Sequence, residues 1–93
     1  MRGNPLDEIE RGRAFEVVVV MALTRKPGKL FYWRERNYEV DFVYVRGNQV
    51  TAIELKSGRK KSATGLQKFR AKFPDSNILL LTPENYEGLL AKL

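Results

Sequence analysis

Two runs rich in β-branched and aromatic residues, Tyr38 to Arg46 and Gln49 to Ser57, stand on either side of Gly47-Asn48. A two-residue connection with Gly at its first central position suits a tight β-hairpin, and it fixes which residues face each other. With Gly47 and Asn48 at the turn, Arg46 faces Gln49, Val45 faces Val50, Val43 faces Ala52 and Phe42 faces Ile53. These are compatible cross-strand pairs. The same register sets Asp41 opposite Glu54 and Glu39 opposite Lys56. A shift by one residue would separate the acids, because it turns every side chain to the other face.

The rest of the chain supplies elements around this hairpin. Asn4-Pro5-Leu6-Asp7-Glu8 reads as a helix start, with Asn as cap, Pro at the first position and acids in the first turn. Phe15, Val18, Val19, Ala22 and Leu23 follow at helical spacing, although the run of valines leans towards strand. Lys26 to Lys29 breaks that helix. Leu30 to Arg34 reads as a short strand, and Arg36-Asn37 as a turn. Ser62 reads as the cap of a second helix, whose periodic residues are Ala63, Leu66, Phe69, Arg70 and Phe73 and which closes at Pro74-Asp75. The apolar run Asn77 to Leu81 fits a buried strand, and Thr82-Pro83-Glu84 reads as the start of a last helix. The order is helix, three strands, helix, strand, helix. The strand-helix-strand step implies a parallel pair, so the expected architecture is α/β with a mixed central sheet flanked by helices.

Two carboxylates directly opposed on neighbouring strands repel each other, with Cβ atoms about 4.5–5.5 Å apart. A shared proton, a cationic side chain or a divalent cation must offset that repulsion. Oxygen ligands suit magnesium, which commonly binds through one or two carboxylates. Lys56 lies two residues beyond Glu54, on the same face of the strand, and can orient a water or stabilise charge on a phosphate. The plainer alternative is a solvated patch in which Lys56 neutralises Glu39 or Glu54. Glu16 lies near the apolar side of the first helix, where an acid needs a partner or a role. Its plainer reading is a boundary residue paired with a nearby Arg.

Composition narrows the chemistry. The chain has 93 residues, enough for one domain with a modest core, so a second copy or a larger parent protein that covers some surface is expected. It has neither Cys nor His, which excludes disulfides, thiol catalysis and every His-dependent mechanism. The net charge is +6, which favours polyanionic partners. Lys56, Arg59, Lys60, Lys61, Lys68, Arg70 and Lys72 fall in a stretch without an acid. That stretch is either a surface for nucleic acid or a solvated helix face. The longest apolar run, Val17 to Leu23, is too short to span a bilayer, and the start lacks a secretory pattern, so a cytoplasmic setting is the expectation and no membrane partner is.

Asp41 within Glu39-Val40-Asp41-Phe42-Val43, twelve intervening residues, and Ile53-Glu54-Leu55-Lys56 together resemble the central motif of the PD-(D/E)xK nuclease superfamily. The order of elements resembles its restriction-endonuclease-like αβββαβ core. Gly12-Arg13-Ala14-Phe15-Glu16 resembles the N-terminal helix motif of archaeal Holliday junction resolvases, and Gln67 resembles an accessory glutamine found in several branches. Segments such as Tyr32-Trp33-Arg34 and Ile53-Glu54-Leu55-Lys56-Ser57-Gly58 also resemble the uncharacterised C-terminal domain of archaeal and bacterial AAA-type ATPases. The likeness covers Gly12 to Leu81. Val40 stands where the motif has Pro. The chain has no P-loop, so it is not itself the ATPase but a stand-alone domain or a piece of a longer protein.

The resemblance implies one nuclease-like domain over residues 1–93 that acts on nucleic acid, DNA foremost. It implies a magnesium ion, or manganese in its place, held by Asp41, Glu54 and the Leu55 carbonyl with Glu16 in support. Lys56 and Gln67 would complete the catalytic set, and Arg59, Lys60, Lys61, Lys68, Arg70 and Lys72 would grip the phosphate backbone. A second expectation keeps the fold without the activity, as a regulatory or interaction module of an ATPase. A third is a plain nucleic-acid binder in which Tyr32, Trp33, Tyr38 and Tyr44 stack bases, although strand aromatics more often belong to a core.

Overall fold

The computed structural model describes residues 5–56 and 64–93, with side chains from residue 12 onwards. The elements run α1 (Pro5–Thr24), β1 (Lys29–Glu35), β2 (Tyr38–Arg46), β3 (Gln49–Leu55), α2 (Thr64–Lys72), β4 (Asn77–Leu81) and α3 (Tyr86–Leu90). The sheet order is β1-β2-β3-β4. The first two pairings are antiparallel and β3 with β4 is parallel, so the sheet is mixed, as the order of elements requires.

The β2–β3 hairpin has the register read from its turn. Arg46 pairs with Gln49, Tyr44 with Thr51 and Phe42 with Ile53. Gly47 has φ 60, the positive value that the first central position of such a turn demands. The β1–β2 turn is less conventional, because Arg36 takes φ 55 where Gly would be unstrained.

Each face of the sheet has its own core. Phe42, Tyr44, Ile53, Leu55 and Leu81 pack against Phe15, Val19 and Leu23 of α1 and Leu90 of α3. On the other face Val40, Val43 and Ala52 pack against Leu66 and Phe69 of α2. Central strand β3 is covered on both sides, so Thr51 to Leu55 is buried throughout. This burial holds the acid Glu54 within the fold and not on a solvated patch.

Three details depart from the sequence reading. Phe15, Val19 and Leu23 form the buried row of α1, with Val20 and Ala22 partly buried against the same core, while Val18 is exposed. The last helix begins at Tyr86 and not after Thr82. The Asn85 side chain accepts the Thr82 N–H at 2.8 Å, and the Thr82 carbonyl accepts from Asn85 and Tyr86, so Thr82 to Asn85 closes as a turn first. Strand β3 ends at Leu55. The expected caps Asn4 and Ser62, and the expected strand end Ser57, lie outside the described residues.

Helix α2 approaches the sheet closely at Gly65. A Cβ built there would meet the Glu39 carbonyl oxygen at 2.1 Å, whereas one at Gly88 in α3 would meet nothing within 4 Å. Gly65→Ala is therefore expected to cost about 1–3 kcal/mol in urea denaturation, the usual range for overpacking. Gly88→Ala should be neutral or stabilise by up to about 1 kcal/mol, since only the helix propensity of Ala acts there.

Candidate active site: the crossed carboxylates of β2 and β3

The regular ladder of β2 stops short of its acid. On the β1 side Phe31 pairs with Val43 but Trp33 pairs with Val40, so Asp41 and Phe42 together oppose Tyr32. This is a β-bulge in β2, the kind of irregularity that re-aims a side chain. Its effect is visible in the cores: Val40 joins Val43 on the α2 face, although simple alternation would put it with Phe42 and Tyr44.

At the bulge the two acids cross. The Asp41 Oδ2 accepts the Leu55 N–H at 2.8 Å, and the Glu54 Oε1 accepts the Asp41 N–H at 3.2 Å. Had the hairpin register continued, Leu55 would have bonded to the backbone of Val40. The Asp41 carboxylate takes that acceptor role instead and lies in the plane of the sheet between the strands. Repulsion between the acids is thus partly offset by backbone donors, through charge-assisted hydrogen bonds.

The parallel pairing with β4 sets the direction of the neighbouring backbone groups. Beyond β3 the Lys56 N–H bonds to the Leu81 carbonyl at 2.8 Å, and Leu55 pairs with Leu81. In such a parallel ladder the groups of Leu55 itself face away from β4. Its N–H reaches Asp41, and strand geometry turns its carbonyl to the β2 side as well. Two carboxylates and a carbonyl form an all-oxygen donor set, which fits one hard divalent cation that completes its shell with water. Lys56, the next residue along the chain, is half-buried.

The other expected site residues stand apart from the pair or at its margin. Glu16 is exposed on α1, and among the described residues no three acids come together in a group that could hold a metal. On α1 the Phe15 row is buried and Glu16 faces solvent. Gln67 is exposed on α2, two residues after the glycine that rests on Glu39, so it belongs to the same end of the sheet as Asp41.

Among the described residues, Lys68, Arg70 and Lys72 of the basic stretch do not share one face of α2. Lys68 lies over the Tyr38 ring, 5.1 Å from its centroid, and Lys72 pairs with Glu35 of β1. Arg70 bonds through Nε to the Pro74 carbonyl at 3.3 Å, and half a helical turn separates it from Lys68. Arg59, Lys60 and Lys61 lie outside the described residues. The hydrogen bond from Lys72, helped by the charges of Lys72, Lys68 and Arg36, outweighs partial dehydration and holds Glu35 below its ordinary 4.5. Glu39 is taken by a long, exposed ion pair with Arg34 at 3.9 Å, so it is not the partner of Lys56 that the hairpin register suggested.

Of the base-stacking candidates, Tyr44 is buried and its hydroxyl accepts the Gly28 N–H at 2.9 Å, while Trp33 packs edge-on against Phe69. Tyr32 alone of the four is largely exposed, at 82%.

The crossed bonds make a stability prediction. Asp41→Ala removes the acceptor of the Leu55 N–H and is expected to cost about 1–3 kcal/mol in urea denaturation. Asp41→Asn keeps an oxygen there and should cost less. Equal losses for the two would mean that the acceptor is unimportant.

Comparison with known proteins adds kinship and no chemistry. No curated protein and no solved structure matches the chain. A family model described as Domain of unknown function (DUF4143) matches residues 11–88, a span that takes in the bulge, both acids and all four strands. The chain belongs to the DUF4143 family.

Proposed function

We propose that this chain is a nuclease-type domain with a restriction-endonuclease-like core, which hydrolyses phosphodiester bonds of nucleic acid, DNA foremost, with one magnesium ion. The observation that carries this reading is the crossing of Asp41 and Glu54 at the β2 bulge, with the Leu55 carbonyl on the same side. Two carboxylates held side by side at a bulge are the kind of oxygen donors a hard divalent cation takes. Asp41, Glu54 and the Leu55 carbonyl would hold the ion, which when bound polarises the phosphoryl oxygen and stabilises charge in an in-line displacement. Lys56 orients the attacking water and steadies charge on the phosphate. Gln67 and Lys68 contact the nucleic-acid backbone from α2. Glu16 has no part in this one-ion arrangement.

A second reading is favoured by a specific observation. The same carboxylate oxygens that would serve a metal already accept backbone N–H groups. Such bonds also suit a purely structural role, in a nuclease-like module that has no activity and serves as the interaction or regulatory domain of an AAA-type ATPase.

Cleavage of branched and single-stranded DNA, with magnesium and with chelator, separates the two. The nuclease reading predicts magnesium-dependent products, a loss to background in Asp41→Asn and Glu54→Gln, and a loss of about 10²–10⁴-fold in Lys56→Met. Equal background for wild type and Asp41→Asn, with no heat of magnesium or manganese binding by calorimetry, would leave the module.

A further inference from the structure

Strand β1 is one edge of the sheet, and among the described residues no strand pairs with its outer side. It is seven residues long, contains no Pro and carries Phe31-Tyr32-Trp33 at its centre. Phe31 is 50% exposed and Tyr32 82%. An edge that long, regular and aromatic is a template for another strand, and proteins normally blunt such edges. The bulge lies in β2, so β1 itself keeps a regular alternation.

The direction of its backbone groups follows from the hairpin. In a two-residue hairpin the residues flanking the turn exchange both hydrogen bonds, so Arg46, Tyr44 and Phe42 face β3. Val45 and Val43 then face β1, which turns the groups of their partners Lys29 and Phe31 inward. By alternation, Leu30, Tyr32 and Arg34 present N–H and C=O to the outside.

We propose that this edge is closed by a second copy of the chain, with β1 pairing antiparallel to β1 about a two-fold axis at Tyr32. Charge complementarity selects this register. With Tyr32 opposite its own copy, Leu30 meets Arg34, all the outward groups of both strands are paired, and Lys29 lies opposite Glu35 at each end. Phe31 then lies opposite Trp33, an aromatic pair on the α2 face. Centring the axis on Phe31 instead would set Lys29 against Trp33, and centring it on Trp33 would set Glu35 against Phe31. Only the register at Tyr32 joins opposite charges at both ends, as an isologous contact requires. Glu35 already holds Lys72, so Lys29 of the second copy adds a further cation to that carboxylate.

The pairing makes one continuous sheet across the axis. Asp41 lies in the bulge that opposes Tyr32, so the two Asp41 residues fall on a line through the axis, three strand spacings or about 14 Å apart.

The chain has no Cys, so a single introduced thiol reports the register. Tyr32→Cys brings two Cα atoms to about 5.5 Å, within disulfide reach. Arg34→Cys leaves them about 13 Å apart along the strands. Under oxidised glutathione, Tyr32→Cys is expected to form a disulfide-linked dimer on a non-reducing gel while Arg34→Cys forms none. In sedimentation velocity the wild type should show a concentration-dependent dimer, and Tyr32→Pro, whose N–H faces outward, should sediment as a monomer with an unchanged circular dichroism spectrum. A wild type that is monomeric throughout, a Tyr32→Pro that folds and still dimerises, or equal cross-linking of the two thiols would each overturn the proposal. Should Tyr32→Pro fail to fold, the two Cys variants decide it alone.

Discussion

A pair of hydrogen bonds between strands β2 and β3 organises this molecule: Asp41 to the Leu55 amide and Glu54 to the Asp41 amide. They replace ladder bonds at the point where β2 bulges, and they give both carboxylates backbone donors. Each partner is held by something else. Glu54 is buried because β3 is covered on both faces, and Leu55 is fixed by the α1 core and by its pairing with Leu81. Helix α2 rests its Gly65 on the carbonyl of Glu39, two residues before Asp41. The site is therefore carried by the sheet and its covering layers, not by a loop.

That origin explains how the sequence was readable here. The Gly47-Asn48 turn set the hairpin register, and the register holds from Arg46–Gln49 to Phe42–Ile53. The apolar run Asn77 to Leu81 is the parallel strand. These features rest on local rules: turn chemistry, alternation and continuous apolar runs. The bulge does not follow from such rules. Val40-Asp41-Phe42 contains no Gly or Pro to mark it, and both parities of β2 are apolar because both faces are covered. The positive φ of Arg36 is equally silent in sequence, since Gly or Asn would be the expected residue.

The acids show the same division. The register, which is local information, holds as far as Phe42–Ile53, next to both acids; the expected direct pair of Asp41 with Glu54 is not formed, and side-chain-to-backbone bonds join them instead. Whether Glu16 joins them depends on how α1 is rotated against the sheet, which is tertiary information. The valine run left several faces of α1 equally apolar, and the Phe15-Val19-Leu23 row was buried, which turns Glu16 outward. The basic stretch reads as one patch in sequence, but helical geometry divides its members on α2: Lys68 and Lys72 turn to the β1–β2 end and Arg70 turns away.

The central claim is that the crossed carboxylates form a cation site. Paramagnetic broadening of backbone amide signals by a manganese titration tests it residue by residue. The account predicts that the amides of Asp41 and Leu55 broaden first, at low manganese, and that Asp41→Asn abolishes the effect. Broadening that begins elsewhere, at Glu84 or Glu87 for example, or none before non-specific binding, would contradict it.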